Sequence, residues 1–317
     1  MSESAAPLRS THSASGILFL VAGIAVFAVQ DLILKLLSGT YPLHQAMVIR
    51  SVTAAPLLLI LVQLNGGLST LFTPGMRAMI GRGFIMFVAY TSYYLALAAL
   101  PLATTVALYF AAPLFITLLS VLTLGETVAP RRWFAVLVGF AGVVIMVRPG
   151  SDLFDWAAPL AVISGMTYAI SMVAARRMGP TETAAALAFW GNAVFLLCAV
   201  VLSAIFGTGA FADVGHKSLA FLMRGWVWPS GIDTMLMMAC GFIAAAGLTL
   251  LTQAYRISEA SIVAPFEYTA LIWGVLYGWL FWSDWPDAIG WFGILVIVGA
   301  GFMVIWLEKF EPPNVRD

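Results

Sequence analysis

The sequence predicts an all-α integral membrane protein whose ten transmembrane helices form two inverted five-helix repeats. Three observations carry this prediction. Of 317 residues, 62% are hydrophobic and 9% charged, against about 45–50% and about 25% in soluble domains. The apolar residues gather into ten windows, most of them near the ~20 residues that cross a bilayer. One stretch also recurs half a chain later, so each half holds five windows.

The windows follow in order. The first, 17–37, opens with an apolar run from Ile17 to Val29 and continues through Gln30, Asp31 and Lys35 without a small-x-small cleavage site. It therefore reads as a spanning helix, not a signal peptide. The second, 43–62, starts after Tyr41-Pro42 and contains Arg50. The third is 80–99. The fourth, 104–124, contains Pro113 and stops at Gly125-Glu126. The fifth, 133–147, is short, but Arg131-Arg132 and Arg148-Pro149-Gly150 mark its ends. The sixth, 157–175, stops at Arg176-Arg177, and the seventh is 184–205. The connection from Phe206 to Asp233 mixes Gly, Trp and Pro with Lys217 and Arg224, as an external loop with an interfacial segment would. The eighth, 234–255, precedes Arg256, the ninth, 260–281, holds Pro265 and Glu267, and the tenth is 289–307. Residues 1–16 and 308–317 remain as cytoplasmic tails, with 17–150 and 151–307 as the two repeats.

The repeat is visible between WFAVLVGFAGVVIMV at 133–147 and WFGILVIVGAGFMVI at 291–305. Seven residues before each Trp stands an acid, Glu126 and Asp284, at the end of an apolar window. Five spans per half is an odd number, so the second half must enter the membrane upside down. The loop after the fourth span carries Arg131 and Arg132, whereas its counterpart carries Asp284 and Asp287, as opposite sidedness requires. Over the whole chain, Arg9, Arg77, Arg82, Arg131, Arg132, Arg176, Arg177, Arg256, Lys309 and Arg316 fall on the side of the termini. Lys35, Arg148, Lys217 and Arg224 fall on the other. Both termini are thus expected in the cytoplasm. Inverted repeats place a substrate site at the midplane between the halves and supply two nearly equivalent states.

Ionisable groups inside spans cost at least a few kcal/mol and mark function by default. Asp31 lies roughly 20 Å along the first helix and Arg50 roughly 10 Å along the second from the opposite side. Their heights allow an ion pair, with Lys35 one turn beyond Asp31. The pair either fixes helix packing or binds and gates a substrate. Glu267, two residues after Pro265, serves packing, proton coupling or recognition of a cationic or hydrogen-bonding group. Among the aromatic residues, Tyr94, Tyr109, Trp190 and Tyr268 are the candidates for a cavity, because Ser92, Thr105, Asn192 and Glu267 stand near them. Tyr90, Tyr93, Tyr168, Trp273 and Tyr277 read as packing or interfacial residues. Gly274 and Gly278 form a GxxxG, and Gly241 begins a small-xxx-small spacing. Both imply close helix contact, within the chain or in a homodimer.

Other functions find little support. Net charge is zero, which leaves no electrostatic footprint for nucleic acid. Cys198 and Cys240 stand far apart, and His12, His44 and His216 lie in tails or loops, so no metal or cofactor is expected. Walker A, His-Glu-x-x-His and Gly-x-Ser-x-Gly patterns are absent from the sequence. A membrane-embedded enzyme would need an acid, base or nucleophile set at one depth, which only Asp31 with Arg50 approaches. A channel or a structural subunit is the remaining alternative.

Several of these motifs together resemble a known family. They are Gln30-Asp31-Leu-Ile-Leu-Lys35, Tyr41-Pro42, Arg50, the run from Pro101 through Tyr109 to Ala112-Pro113, Leu124-Gly125-Glu126, Arg131-Arg132-Trp133 and Ala264-Pro265-Phe-Glu-Tyr268. This set is similar to the EamA-type carriers of the drug/metabolite transporter superfamily. The chain departs from the pattern at Ser283-Asp284, where most relatives have Gly-Glu. The resemblance implies a secondary carrier of the bacterial inner membrane, coupled to protons or running by exchange with a counter-substrate. It further implies amino acids, drugs or metabolites as substrates. The importer-like branch is the nearest, which makes riboflavin the expected substrate and S-adenosylmethionine the alternative.

Overall fold

The computed structural model describes residues 8–125, 130–147, 155–258 and 263–308. Among them are twelve α-helices: α1 Leu8–Leu37, α2 Leu43–Leu64, α3 Met76–Ala99, α4 Leu102–Tyr109, α5 Ala111–Leu124, α6 Pro130–Val147, α7 Ala158–Met178, α8 Ala184–Phe206, α9 Lys217–Met223, α10 Gly231–Ile257, α11 Thr269–Trp282 and α12 Ala288–Glu308. Two 3-10 turns, Leu68–Leu71 and Ala264–Tyr268, complete the described elements. Six helical stretches are long and apolar enough to cross a membrane: within α1, in α2, across α4 and α5, and in α7, α8 and α10. Shorter apolar helices accompany them in α6 and α12. The Glu126, Arg148, Lys309 and Arg316 of the charge pattern, and the junction at 150/151, lie outside the described residues.

Helix ends follow local chemistry. The Thr183 hydroxyl accepts the Ala186 amide at 3.1 Å and starts α8. Ser230 accepts the Asp233 amide at 3.1 Å and donates to the Asp233 carboxylate at 2.7 Å, starting α10. Such caps satisfy amides that have no partner within the helix. At the other end, α5 stops on Gly125 with φ 68° and α11 stops on Ser283 with φ 54°. Glycine enters this left-handed region freely and serine does not. The Ser283-Asp284 departure from Gly-Glu thus lies at a helix stop.

The packing runs α1 along α10, α3 along α7, α2 along α8, α6 along α12 and α4 along α11, with α5 also on α7. α10 reaches α2 at Gly241, where an added Cβ would stand 2.6 Å from the Arg50 carbonyl oxygen. Gly274 meets Val106 of α4 at 3.1 Å on the same construction, whereas Gly278 has only looser neighbours. Gly241 and Gly274 are therefore close-contact positions within the chain.

Two helices are interrupted at mid-bundle. α4 ends at Tyr109, Phe110 turns, and α5 begins at Ala111. Pro113 has no amide to offer the Tyr109 carbonyl four residues back, which favours the break. Gly165 of α7 lets its helix come up to this point, since a Cβ there would lie 2.7 Å from the Tyr109 carbonyl oxygen. The ninth predicted span begins, in its described part, with the 3-10 turn Ala264–Tyr268 and straightens only in α11. Phe110 and Tyr268 touch edge to face with centroids 5.0 Å apart.

The connection 206–233 contains α9 and is strapped to the start of α2. Gln45 exchanges hydrogen bonds with the Val227 backbone at 2.7 and 3.1 Å. Tyr41 donates to Asp233 at 2.7 Å, and Arg224 donates to the Ser38 carbonyl at 3.1 Å. Trp228 on this segment is 97% exposed, as an interfacial indole would be.

Candidate functional site

The two interrupted helices, with α1, α3, α7 and α10, wall a cavity at mid-bundle. Its lining includes Asp31, Tyr90, Tyr93, Tyr109, Ser164, Tyr168, Glu267, Trp273 and Tyr277. The space open to the centres of water molecules is about 80 Å³, several times the roughly 10–15 Å³ that one water needs. It is thus a chamber and not a packing defect. Its walls combine seven aromatic side chains with aliphatic ones, and its charged groups are both acids.

Each acid is held by tyrosine. The Tyr93 hydroxyl donates to Asp31 Oδ2 at 2.9 Å. Glu267, only 2% exposed, accepts on Oε1 from Tyr168 at 2.9 Å and from Tyr255. Between the two carboxylates the rings form a chain of contacts: Tyr93 meets Tyr109 edge to face at 5.4 Å, and Tyr109 meets Tyr168 at a tilt at 5.4 Å. The cavity therefore offers hydroxyl-supported acceptors at both acids and aromatic surfaces between them. Such walls suit a flat molecule, stacked or edge-on.

The structure separates several residues that the sequence suggested together. The expected Asp31–Arg50 ion pair does not form; among the described residues Arg50 has no carboxylate within ion-pair distance. Its guanidinium instead lies 4.6 Å from the Phe195 ring centroid and 5.8 Å from that of Tyr90. Equal height in the membrane did not mean facing sides of the two helices. Arg50 and Asn192 line a second, smaller cleft with Tyr90, Met86, Gly191, Phe195 and Leu248. Tyr94 is buried behind the cavity, where it accepts a hydrogen bond from Gln30. Tyr268 is buried against Phe110 and does not line the cavity. Trp190 stands apart, its indole donating to the Leu71 carbonyl at 3.0 Å. Lys35 donates to the carbonyls of Leu97 and Leu100 at 2.9 and 2.7 Å, at the end of α3, and covers the Trp282 ring at 5.3 Å.

Arg82 also needs correction as a loop cation. It is 2% exposed, and it donates to the Ser171 carbonyl at 2.9 Å and the Leu187 carbonyl at 3.4 Å. α3 begins at Met76, so Arg82 is nearly two turns inside the helix. Among the cavity residues, sequence reasoning passed over Tyr90, Tyr93, Tyr168, Trp273 and Tyr277. The spacing of Tyr90 and Tyr93, three apart on one helical face, was the available signal.

Comparison with known proteins now adds to this geometry. Residues 14–148 match the model of the EamA-like transporter family. Over those residues the chain is similar to that family. A riboflavin transporter of Rhizobium johnstonii is 33% identical over 209 residues, which span 66% of this chain and 63% of that protein. The chain thus aligns with less than two thirds of that relative's length. An S-adenosylmethionine uptake transporter of Rickettsia prowazekii is 25% identical over 72% of this chain and 71% of that protein. A pseudopaline exporter of Pseudomonas aeruginosa is 27% identical over 90% and 94%, respectively. A solved crystal structure superposes on 96% of this chain and all of its own with a TM-score of 0.70 at 17% identity, which shows a shared fold. The matched family and these relatives are named as transporters or an exporter. The six long apolar helices among the described residues, with these similarities to transporters, support a multi-pass membrane protein.

Proposed function

We propose that the protein is a secondary carrier that moves a small flat metabolite across the inner membrane by alternating access, with riboflavin as its substrate. The observation that carries this reading is the aromatic cavity at mid-bundle, bounded by the two interrupted helices. Discontinuous helices in corresponding positions of two halves are where carriers of inverted-repeat architecture bind their substrates. The packing supports such a repeat. Exchanging the first five spans for the second five maps α1 on α10 onto α3 on α7, and maps α2 on α8, α6 on α12 and α4 on α11 each onto itself. Gly125 and Ser283, both left-handed helix stops, are 158 residues apart, as are Trp133 and Trp291. Cytoplasmic termini follow from the Lys and Arg pattern, which keeps its direction without Arg82.

Riboflavin is favoured by the 33% identity to a riboflavin transporter and by the aromatic rings that line the cavity. S-adenosylmethionine is a second reading, favoured by the charge of the cavity: Asp31 and Glu267 line it, with no Lys or Arg, and would attract its cationic centre. Counterflow in proteoliposomes separates these readings. Unlabelled riboflavin inside should accelerate entry of labelled riboflavin. Acceleration only by S-adenosylmethionine would replace the substrate, and entry without acceleration would point to a channel.

A further inference from the structure

Among the described residues, eight buried side-chain polar atoms lack a hydrogen-bond partner. Four of them belong to three residues of the smaller cleft: Arg50 Nε and Nη1, the Tyr90 hydroxyl and Asn192 Oδ1. Buried polar groups are otherwise almost always satisfied, so their concentration at one place makes the cleft a candidate polar subsite. The groups are also held in place. The Arg50 guanidinium is set against the Phe195 and Tyr90 rings, which leaves its edge as the hydrogen-bonding side. Asn192 is fixed by its own amide, which donates to the Ser51 carbonyl at 3.0 Å and leaves Oδ1 as the free acceptor.

The chemistry of the set narrows the ligand. A carboxylate would satisfy Arg50 but would confront Asn192 Oδ1 with another acceptor. A group that presents acceptors beside a donor satisfies both residues. An imide does this, with a carbonyl, an N–H and a second carbonyl along one edge. Tyr90 lines both the large cavity and the cleft. The cleft opens only about 10 Å³ to the centres of water molecules, so a ring system would stay in the large cavity and reach Arg50 and Asn192 with one edge, past Tyr90. We propose that Arg50 and Asn192 form a recognition subsite for the imide edge of a flat heterocycle, with Tyr90 as the shared wall. This rests on the carrier reading above and sharpens its substrate class. The pyrimidine end of the riboflavin ring system has such an edge, and S-adenosylmethionine does not.

The test is competition against labelled riboflavin counterflow in proteoliposomes holding the full chain, with riboflavin and its N3-methyl derivative as competitors. Methylation removes the imide hydrogen and leaves the rings and the sugar-like tail intact. The wild type should take the methyl compound at least about tenfold more weakly. Asn192→Leu should weaken riboflavin and bring that ratio close to one, and Arg50→Lys, which keeps the charge and loses the planar fork, should weaken riboflavin by a similar factor. Equal competition by the two compounds in the wild type overturns the subsite, and this arm needs no variant to fold. A ratio unchanged in Asn192→Leu overturns it as well. Counterflow of S-adenosylmethionine without riboflavin would overturn the imide assignment while leaving the carrier intact. Absence of any counterflow would overturn the carrier reading itself.

Discussion

Replacing Glu267 by Leu should destabilise the protein, and removing its two tyrosine hydroxyls as well should restore much of the loss. Glu267 is 2% exposed, and its Oε1 accepts from both Tyr168 and Tyr255. Without the carboxylate, two buried hydroxyls lose their acceptor. Each such orphan costs about 1–3 kcal/mol, so Glu267→Leu should lose about 2–6 kcal/mol. The triple variant Glu267→Leu, Tyr168→Phe, Tyr255→Phe removes the acceptor and both donors, and leaves unmade only the hydrogen bond that Tyr168 takes from Tyr109, so it should recover most of the loss. The assay is reversible unfolding in mixed micelles, with the single variant, the triple variant and Tyr168→Phe, Tyr255→Phe measured in one series. The expected order places the triple variant above the Leu single variant by at least about 2 kcal/mol. A triple variant less stable than the single one would refute the reasoning, because it would mean that the hydroxyls do not depend on Glu267.

Ser283→Gly should stabilise α11 by about 1 kcal/mol, since serine at φ 54° pays a left-handed cost that glycine avoids; the same unfolding series reads it. Gly241→Ala should cost about 1–3 kcal/mol by forcing α10 away from the Arg50 carbonyl, visible as a lower unfolding midpoint. Tyr93→Phe should raise the KM of counterflow severalfold by removing the hydroxyl that orients Asp31 at 2.9 Å, with little change in folded yield. Trp190→Phe should lower stability by about 1 kcal/mol through loss of the Leu71 hydrogen bond and leave counterflow unchanged.

Of the ten expected spans, six were legible as helices long and apolar enough to cross a membrane among the described residues, because a bilayer demands long apolar windows, and borders at Pro101, Gly125 and Arg176-Arg177 are chemical punctuation. Asp31 and Glu267 were legible as cavity groups for the related reason that charge inside a span is costly. The partner of Asp31 was not legible. Rise per residue gives the height of Arg50 but not the rotation of α2, and the structure turns Arg50 to Phe195 and Asp31 to Tyr93. Trp190 and Tyr268 were chosen by polar neighbours in the sequence, a criterion blind to helix faces. α8 turns Trp190 toward Leu71, and the 3-10 turn sets Tyr268 on Phe110. Arg82 misled for a different reason. An arginine near the start of an apolar window looks like a loop cation, but α3 starts earlier and carries it among carbonyls of α7 and α8.

The central claim, a cavity exposed to the two sides of the membrane in turn, is tested most directly at Ser164. This residue lines the cavity and is 1% exposed. Ser164→Cys, made after Cys198 and Cys240 have been replaced by Ala, can be labelled with a membrane-impermeant maleimide in right-side-out and in inside-out vesicles. A riboflavin gradient should change the two labelling rates in opposite directions, one rising as the other falls. Labelling from one face only, or rates that rise and fall together, would contradict alternating access at this cavity.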